Sequence, residues 1–306
     1  MSQFNNIEYQ VLVSDLIGDV YYSSTSYRGK ISTLRQYAEV VVRKILDIDP
    51  RKEITLGNKD IRQDIEAIPN NRIVKTAVKK LKNKGNKTTH TKYRGEVTED
   101  EFNIAADGLF DLLAYLLIDY FEKYEFGING NIMYVFSILP PIIRYKVLVF
   151  LYEKHPNNIV VIDKLVLAML KAFDTKTAAS WVEVKKEELL KLPIYSDIII
   201  NKDSEQDSDL AIMLMIMETS NMYQLCTNKI EKVGVTIQNR GLIYSDFESA
   251  LPYYKQFGNV QGDTEAIKEF NDIMEFLYMG RRERARLCSS INTAATTVLD
   301  VVESCK

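Results

Sequence analysis

The stretch from Thr98 to Lys123 constrains the fold most. Thr98 and Glu101 form a capping box, in which the threonine accepts from the Glu101 amide and the glutamate reaches back. Behind it, Phe102, Ala105, Ala106, Leu109, Phe110, Leu113, Leu116, Leu117 and Tyr120 recur at three- and four-residue spacing. That spacing predicts a long helix, Glu99–Lys123, with a wide apolar face. Such a face needs other elements to cover it. Asp111 and Asp119 break the most apolar run, Leu109–Phe121, so the stretch reads as a buried helix rather than a membrane span.

Upstream, Leu34, Tyr37, Ala38, Val41, Val42, Ile45 and Leu46 place one apolar face on a helix over Ser32–Leu46. Ile61, Ile65 and Ile68 do the same for Lys59–Ile68, and Pro69 with Asn70–Asn71 breaks the chain. A helix from Arg72 buries Ile73, Val74, Ala77, Val78 and Leu81 and is expected to stop or kink at Gly85. Four helices with short connections predict a small antiparallel bundle over 30–125. Residues 1–29 read as an irregular segment of short strands or frayed helix. The run Phe126–Asn131, FGINGN, reads as a domain boundary.

The second domain, 126–306, is also helical by pattern. Expected helices are Ile142–Lys154, Ile159–Phe173, Lys176–Leu192, Ala211–Lys232, one opened by a Ser245–Glu248 capping box, Thr264–Tyr278 and Arg281–Glu303. Tyr195–Asp209 is acid-rich and reads as a loop. Met213, Met215, Met217 and Met222 read as core filler. Gly280–Arg286, GRRERAR, reads as a compact, exposed basic cluster. The fold class expected is therefore all-α, in two domains, which a chain of 306 residues accommodates.

The net charge of −3 excludes a protein that coats nucleic acid with its whole surface. Three cysteines, Cys226, Cys288 and Cys305, are too few and too scattered for a disulfide framework or a metal site, which fits a cytoplasmic location. The opening MSQFNNIEYQ has no signal-peptide pattern. His90 and His155 are the only histidines, so neither a multi-histidine metal site nor a cofactor is expected.

One local asymmetry stands against the acidic whole. No Asp or Glu occurs from Ala67 to Gly95, while Arg72, Lys75, Lys79, Lys80, Lys82, Lys84, Lys87, Lys92 and Arg94 all fall there. A concentrated positive stripe attracts polyanions, and a solvated helix face is the plainer reading of the same charges. Lys80, Lys82, Lys87, Lys92 and Arg94 are the candidate nucleic-acid-binding residues. His155 precedes Pro156 at a helix end, where C-terminal capping accounts for it.

The helix with Arg35 and Glu39, the Ile68–Pro69 break, the basic helix, the run Gly85, Asn86, Lys87, Thr88, Thr89, His90, and the long capped helix together resemble the HEPN superfamily. Within it the likeness is to the branch bearing a GN-three-residues-H signature, over about Ile31–Lys123. The resemblance implies an all-helical bundle of prokaryotic defence or toxin systems. It also implies, for ribonucleases of that superfamily, a two-fold dimer whose paired sites cut RNA without metal. Where those ribonucleases carry an arginine before the polar residue, this chain has Gly85, with Lys84 as the nearest cation. A lysine is a point charge and replaces a guanidinium fork only in part.

On this resemblance His90, Asn86 and Lys84 form the candidate catalytic set, flanked by Arg35 and Glu39. Histidine suits acid–base work near neutrality. One His90 per chain does not serve as both acid and base, and a homodimer supplies two. The plainer readings stand beside these: His90 as a hydrogen-bonded structural histidine, and Arg35–Glu39 as an ordinary ion pair one helical turn apart. Three functions remain open at this point. One is a metal-independent ribonuclease, one a non-catalytic protein that binds nucleic acid or a nucleotide, and one a helical scaffold whose C-terminal domain recruits a protein partner.

Overall fold

The computed structural model describes residues 7–49, 51–89, 95–194 and 221–283, with the backbone course only for 83–89. Among the described residues there are 13 α-helices and no strand. The all-helical class expected from periodicity is what forms. No helix among the described residues is long and apolar enough to cross a membrane. Packing divides the described residues into two compact units, one up to Leu139 together with Leu251–Glu283, the other within Pro140–Ala250.

The first unit begins with α1, Ile7–Ile17, where strands or frayed helix were expected. Tyr9, Val13, Leu16 and Ile17 are buried at helical spacing, which holds this helix in place. One π-helical turn, Gly18–Tyr22, follows. Helix α2, Tyr27–Ile45, starts five residues earlier than the apolar pattern implies. Ser26 caps it by accepting from the Gly29 amide (3.4 Å), so Gly29 lies in the first turn of the helix. Helices α3 (Lys59–Ala67), α4 (Asn71–Thr89) and α5 (Glu99–Lys123) follow. Thr98 caps α5 as expected, accepting from the Glu101 amide at 3.4 Å.

Helix α5 is the centre of this unit. Every residue from Leu112 to Ile118 is buried, so the helix is covered on all sides and not along one face only. Helices α2 and α4 both pack on it. Leu34, Tyr37, Ala38 and Val41 of α2 and Val74, Ala77 and Leu81 of α4 are closed to solvent.

FGINGN is not the point at which the units part. Asn129 caps a further helix, α6 (Gly130–Ile138), through the amides of Asn131 and Ile132. Phe136 of α6 meets Phe121 and Phe126 edge-on, each pair at 5.5 Å. Those rings keep α6 with the first unit, and the chain leaves only at Leu139. Helix α12, Phe247–Phe257, runs across the division, and α13, Glu265–Tyr278, belongs to the first unit. The Tyr120 hydroxyl donates to the Ala266 carbonyl (3.1 Å), and that of Tyr278 to the Ile138 carbonyl (3.1 Å).

The second unit contains α7 (Pro141–Lys154), α8 (Ile159–Ala172), α9 (Thr175–Val184), α10 (Lys186–Leu189) and α11 (Met222–Arg240). The single helix expected over Lys176–Leu192 is broken at Lys185, whose amide turns back to the Trp181 carbonyl. Helix α11 runs eight residues past the expected end at Lys232 and is capped by Asn221 through the Gln224 amide (3.1 Å). Met222 is fully buried, as a core filler should be, while Met213, Met215 and Met217 lie outside the described residues. The cap of α12 is Asp246, which accepts from the Ser249 amide (2.9 Å), one position later than the expected box. His155 ends α7, its amide donating to the Leu151 carbonyl at 2.8 Å. Arg281–Glu283 of the basic cluster are not helical. Arg281 donates to the Tyr37 hydroxyl (3.3 Å), and Arg282 reaches the Ser14 carbonyl (3.4 Å) and hydroxyl (3.3 Å).

Candidate nucleic-acid interface

Helix α4 carries the basic span. The break before it is built by Ile68 and Pro69 and by Asn70, whose φ of 49° lies in the left-handed region that asparagine tolerates. Tyr115 of α5 fixes that corner by donating to the Pro69 carbonyl (2.6 Å). Val74, Ala77, Val78 and Leu81 are buried, so the opposite face of α4 points outward.

Arg72, Lys75 and Lys79 are exposed on that outer face, and Lys82 is half-buried. Lys75 pairs with Glu66 at 2.8 Å. Among the described residues no ion pair engages Arg72, Lys79 or Lys82, so these three present positive charge outward. Arg72 and Lys79 are two helical turns apart, about 10 Å along the axis. Lys82 is one turn beyond Lys79.

Lys80 is different. Its Nζ lies 2.6 Å from Asp107 and 2.7 Å from Asp111, both on α5. The two carboxylates flank Gly108, whose lack of a side chain lets α4 approach closely. A Cβ built on Gly108 would lie 3.1 Å from both the Ala77 carbonyl oxygen and the Lys80 Cβ. Burial works to lower the Lys80 pKa, but the two carboxylates outweigh it and raise it, so the ammonium stays charged inside the clamp. The sequence signal for this was present: an acidic pair at i and i+4 on α5, straddling a glycine.

Arg35 and Glu39 lie 3.8 Å apart on α2, both largely covered. Glu39 also accepts from the Leu56 amide at 3.2 Å. Burial raises its pKa, opposed by that amide and by Arg35 and Arg43. The pair thus ties α2 to the segment before α3.

Helix α4 does not stop at Gly85 but continues to Thr89. A glycine inside a helix costs only about 1 kcal/mol against alanine, and the flanking turns carry the helix through it. This changes how the candidate set is grouped. On a continuous helix, positions 84 and 86 stand about 200° apart around the axis. Positions 82 and 86 stand one turn apart in one row, which extends the row of Lys79. Positions 80, 84 and 87 form a second row. Lys84, Asn86 and Lys87 are carried by the backbone of α4, and His90, Lys92 and Arg94 lie outside the described residues. Just beyond them, the Gly95 carbonyl accepts from Arg28 (2.9 Å). Phe102 packs on Tyr27, ring centroids 5.8 Å apart, so the chain re-enters the bundle beside the start of α2.

Among the described residues no group of three or more His, Cys, Asp or Glu is placed to hold a metal ion. Compared with protein-family models, with curated proteins and with solved structures, the chain matches none.

Proposed function

We propose that this chain is a HEPN-like protein that engages nucleic acid through the outer face of α4, with metal-independent RNA cleavage as the sharpest form of that activity. One observation carries the reading. The helix displays Arg72, Lys79 and Lys82 without an ion pair among the described residues, inside a span free of carboxylates from Ala67 to Gly95. The row they occupy leads by register to position 86, and His90 follows four residues later in the sequence. Lys82 is therefore the cation best aligned with Asn86, and Lys84 belongs to the row of the clamped Lys80. A homodimer, defence or toxin context and a cytoplasmic site of action belong to this proposal through the HEPN resemblance.

The row and the substitution of Gly85 for the superfamily's arginine favour a second form, binding without cleavage. Both forms predict the same salt behaviour. Affinity for RNA should fall steeply with added salt as counterions are released. Replacing Arg72, Lys79 and Lys82 with Ala should weaken binding to all sequences alike. It should also flatten the salt dependence, by about 0.7 in slope for each phosphate of a single strand that the variant no longer neutralises. A salt-independent affinity, or none at low salt, overturns the nucleic-acid reading. Incubation of total RNA in EDTA, beside His90→Ala, separates the two forms. Cleavage that needs the 2′-hydroxyl and falls about 10²–10⁴-fold in the variant supports the ribonuclease. Intact RNA that remains bound supports the non-catalytic form.

A further inference from the structure

Arg144 sits in the first turn of α7, in the second unit, and only 7% of it is exposed. Its Nε is shielded from solvent and has no hydrogen-bond partner. Among the described residues no carboxylate pairs with its guanidinium and no aromatic ring lies beneath it. The backbone around it makes matters worse for a cation. The N-terminus of a helix carries partial positive charge, and the first turn of α7 holds no acidic residue. Pro140 in the cap position offers no side-chain acceptor, and Pro141 follows it.

A largely covered charge without a counter-charge is unfavourable, and guanidinium stays protonated whatever its surroundings. A largely covered ion pair of this unit shows what compensation looks like: Asp163 is bonded directly to Lys229. We propose that Arg144 is the anchor of an anion-binding site, and that an oxyanion group, phosphate or carboxylate, docks on its fork at the start of α7. A planar guanidinium offers two parallel donors to two oxygens of such a group, and the helix N-terminus adds to the attraction. The site is independent of α4 and of the function proposed above.

The test is thermal unfolding of the full chain in chloride, inorganic phosphate and acetate at one ionic strength and pH. A ligand that binds only the folded state raises the melting temperature with its concentration. Phosphate or acetate should raise it by a few degrees over chloride, and which of them acts distinguishes a phosphate group from a carboxylate. The rise should vanish in Arg144→Met, which also removes the unpaired charge and so should melt in chloride no lower than the wild type. Arg144→Lys, which keeps the charge but loses the fork, should retain a smaller rise. If Arg144→Met does not fold, Arg144→Lys alone decides. Absence of any rise in the wild type, or an equal rise in either variant, overturns the site.

Discussion

Two covered cations, Lys80 in part and Arg144 almost wholly, differ in their partners, and that difference separates a structural charge from one that serves a ligand. Lys80, at the α4–α5 crossing, is met by Asp107 and Asp111. Arg144, at the start of α7, is met by no carboxylate among the described residues. The first charge joins two helices. The second adds nothing to the unit that holds it until an anion arrives. Arg144 is the more deeply covered of the two, so burial alone would call for a partner there first, and the carboxylates stand at Lys80 instead.

The largest effect expected from perturbing this contrast lies at the compensated, largely covered pair of the second unit. Asp163→Ala strands Lys229 and should cost about 3–5 kcal/mol, read as a lower midpoint in urea. Asp163 also has a pH signature. Burial works to raise its carboxyl pKa, but Lys229 and Lys164 outweigh burial and hold it below the usual range. A depressed folded pKa means the pair stabilises fully above the ordinary carboxylate range and loses that contribution as pH falls through the folded value. Wild-type stability should fall on that acid limb, and the variant should lack this part of the loss. Cys226, beside the pair, should resist alkylation in the folded protein, because burial and Asp163 push its thiol up to about 12.

Next comes the helix crossing. Gly108→Val should cost about 1–3 kcal/mol, because its Cβ would meet backbone and the Lys80 stem at 3.1 Å. Lys80→Met should cost somewhat less, about 1–2 kcal/mol, since Asp107 and Asp111 are left facing each other but partly reach water. That loss sets Lys80 apart from Arg144, because Arg144→Met is expected to lose nothing in chloride. Equal losses at the two positions would erase the distinction between them.

The smallest effect belongs to Glu39→Gln, within about 0.5 kcal/mol at neutral pH. Glutamine keeps an acceptor for the Leu56 amide and removes a charge whose pKa burial has raised. A raised folded pKa favours the protonated wild type in acid, and that advantage is lost as pH rises through it. The variant should therefore be level or slightly ahead of the wild type above that value and lose its lead below it.

Much of the candidate interface was legible in the primary structure. The carboxylate-free span, the break at Pro69 and the buried face of α4 all follow from composition and period. What was not legible is which cations are engaged elsewhere. Lys80 and Lys79 are adjacent and chemically identical, yet one points to α5 and the other outward, about 100° further round the helix. Gly85 misled for a different reason: its propensity favours a stop, but a helix already nucleated tolerates one glycine.

That the chain is helical, where most of its helices lie, and that its positive charge is concentrated in one span could all be read from the order of residues. These are properties of neighbours three and four residues apart, and local spacing encodes them. Three other features appeared only in the folded chain: that FGINGN caps a helix instead of parting two units, that α5 is buried on every side, and which buried charges meet a partner. Each of those depends on atoms far apart in the chain, such as Phe121 with Phe136, Lys80 with Asp111 and Asp163 with Lys229. Packing brings such atoms together across helices, and no period along the chain records it.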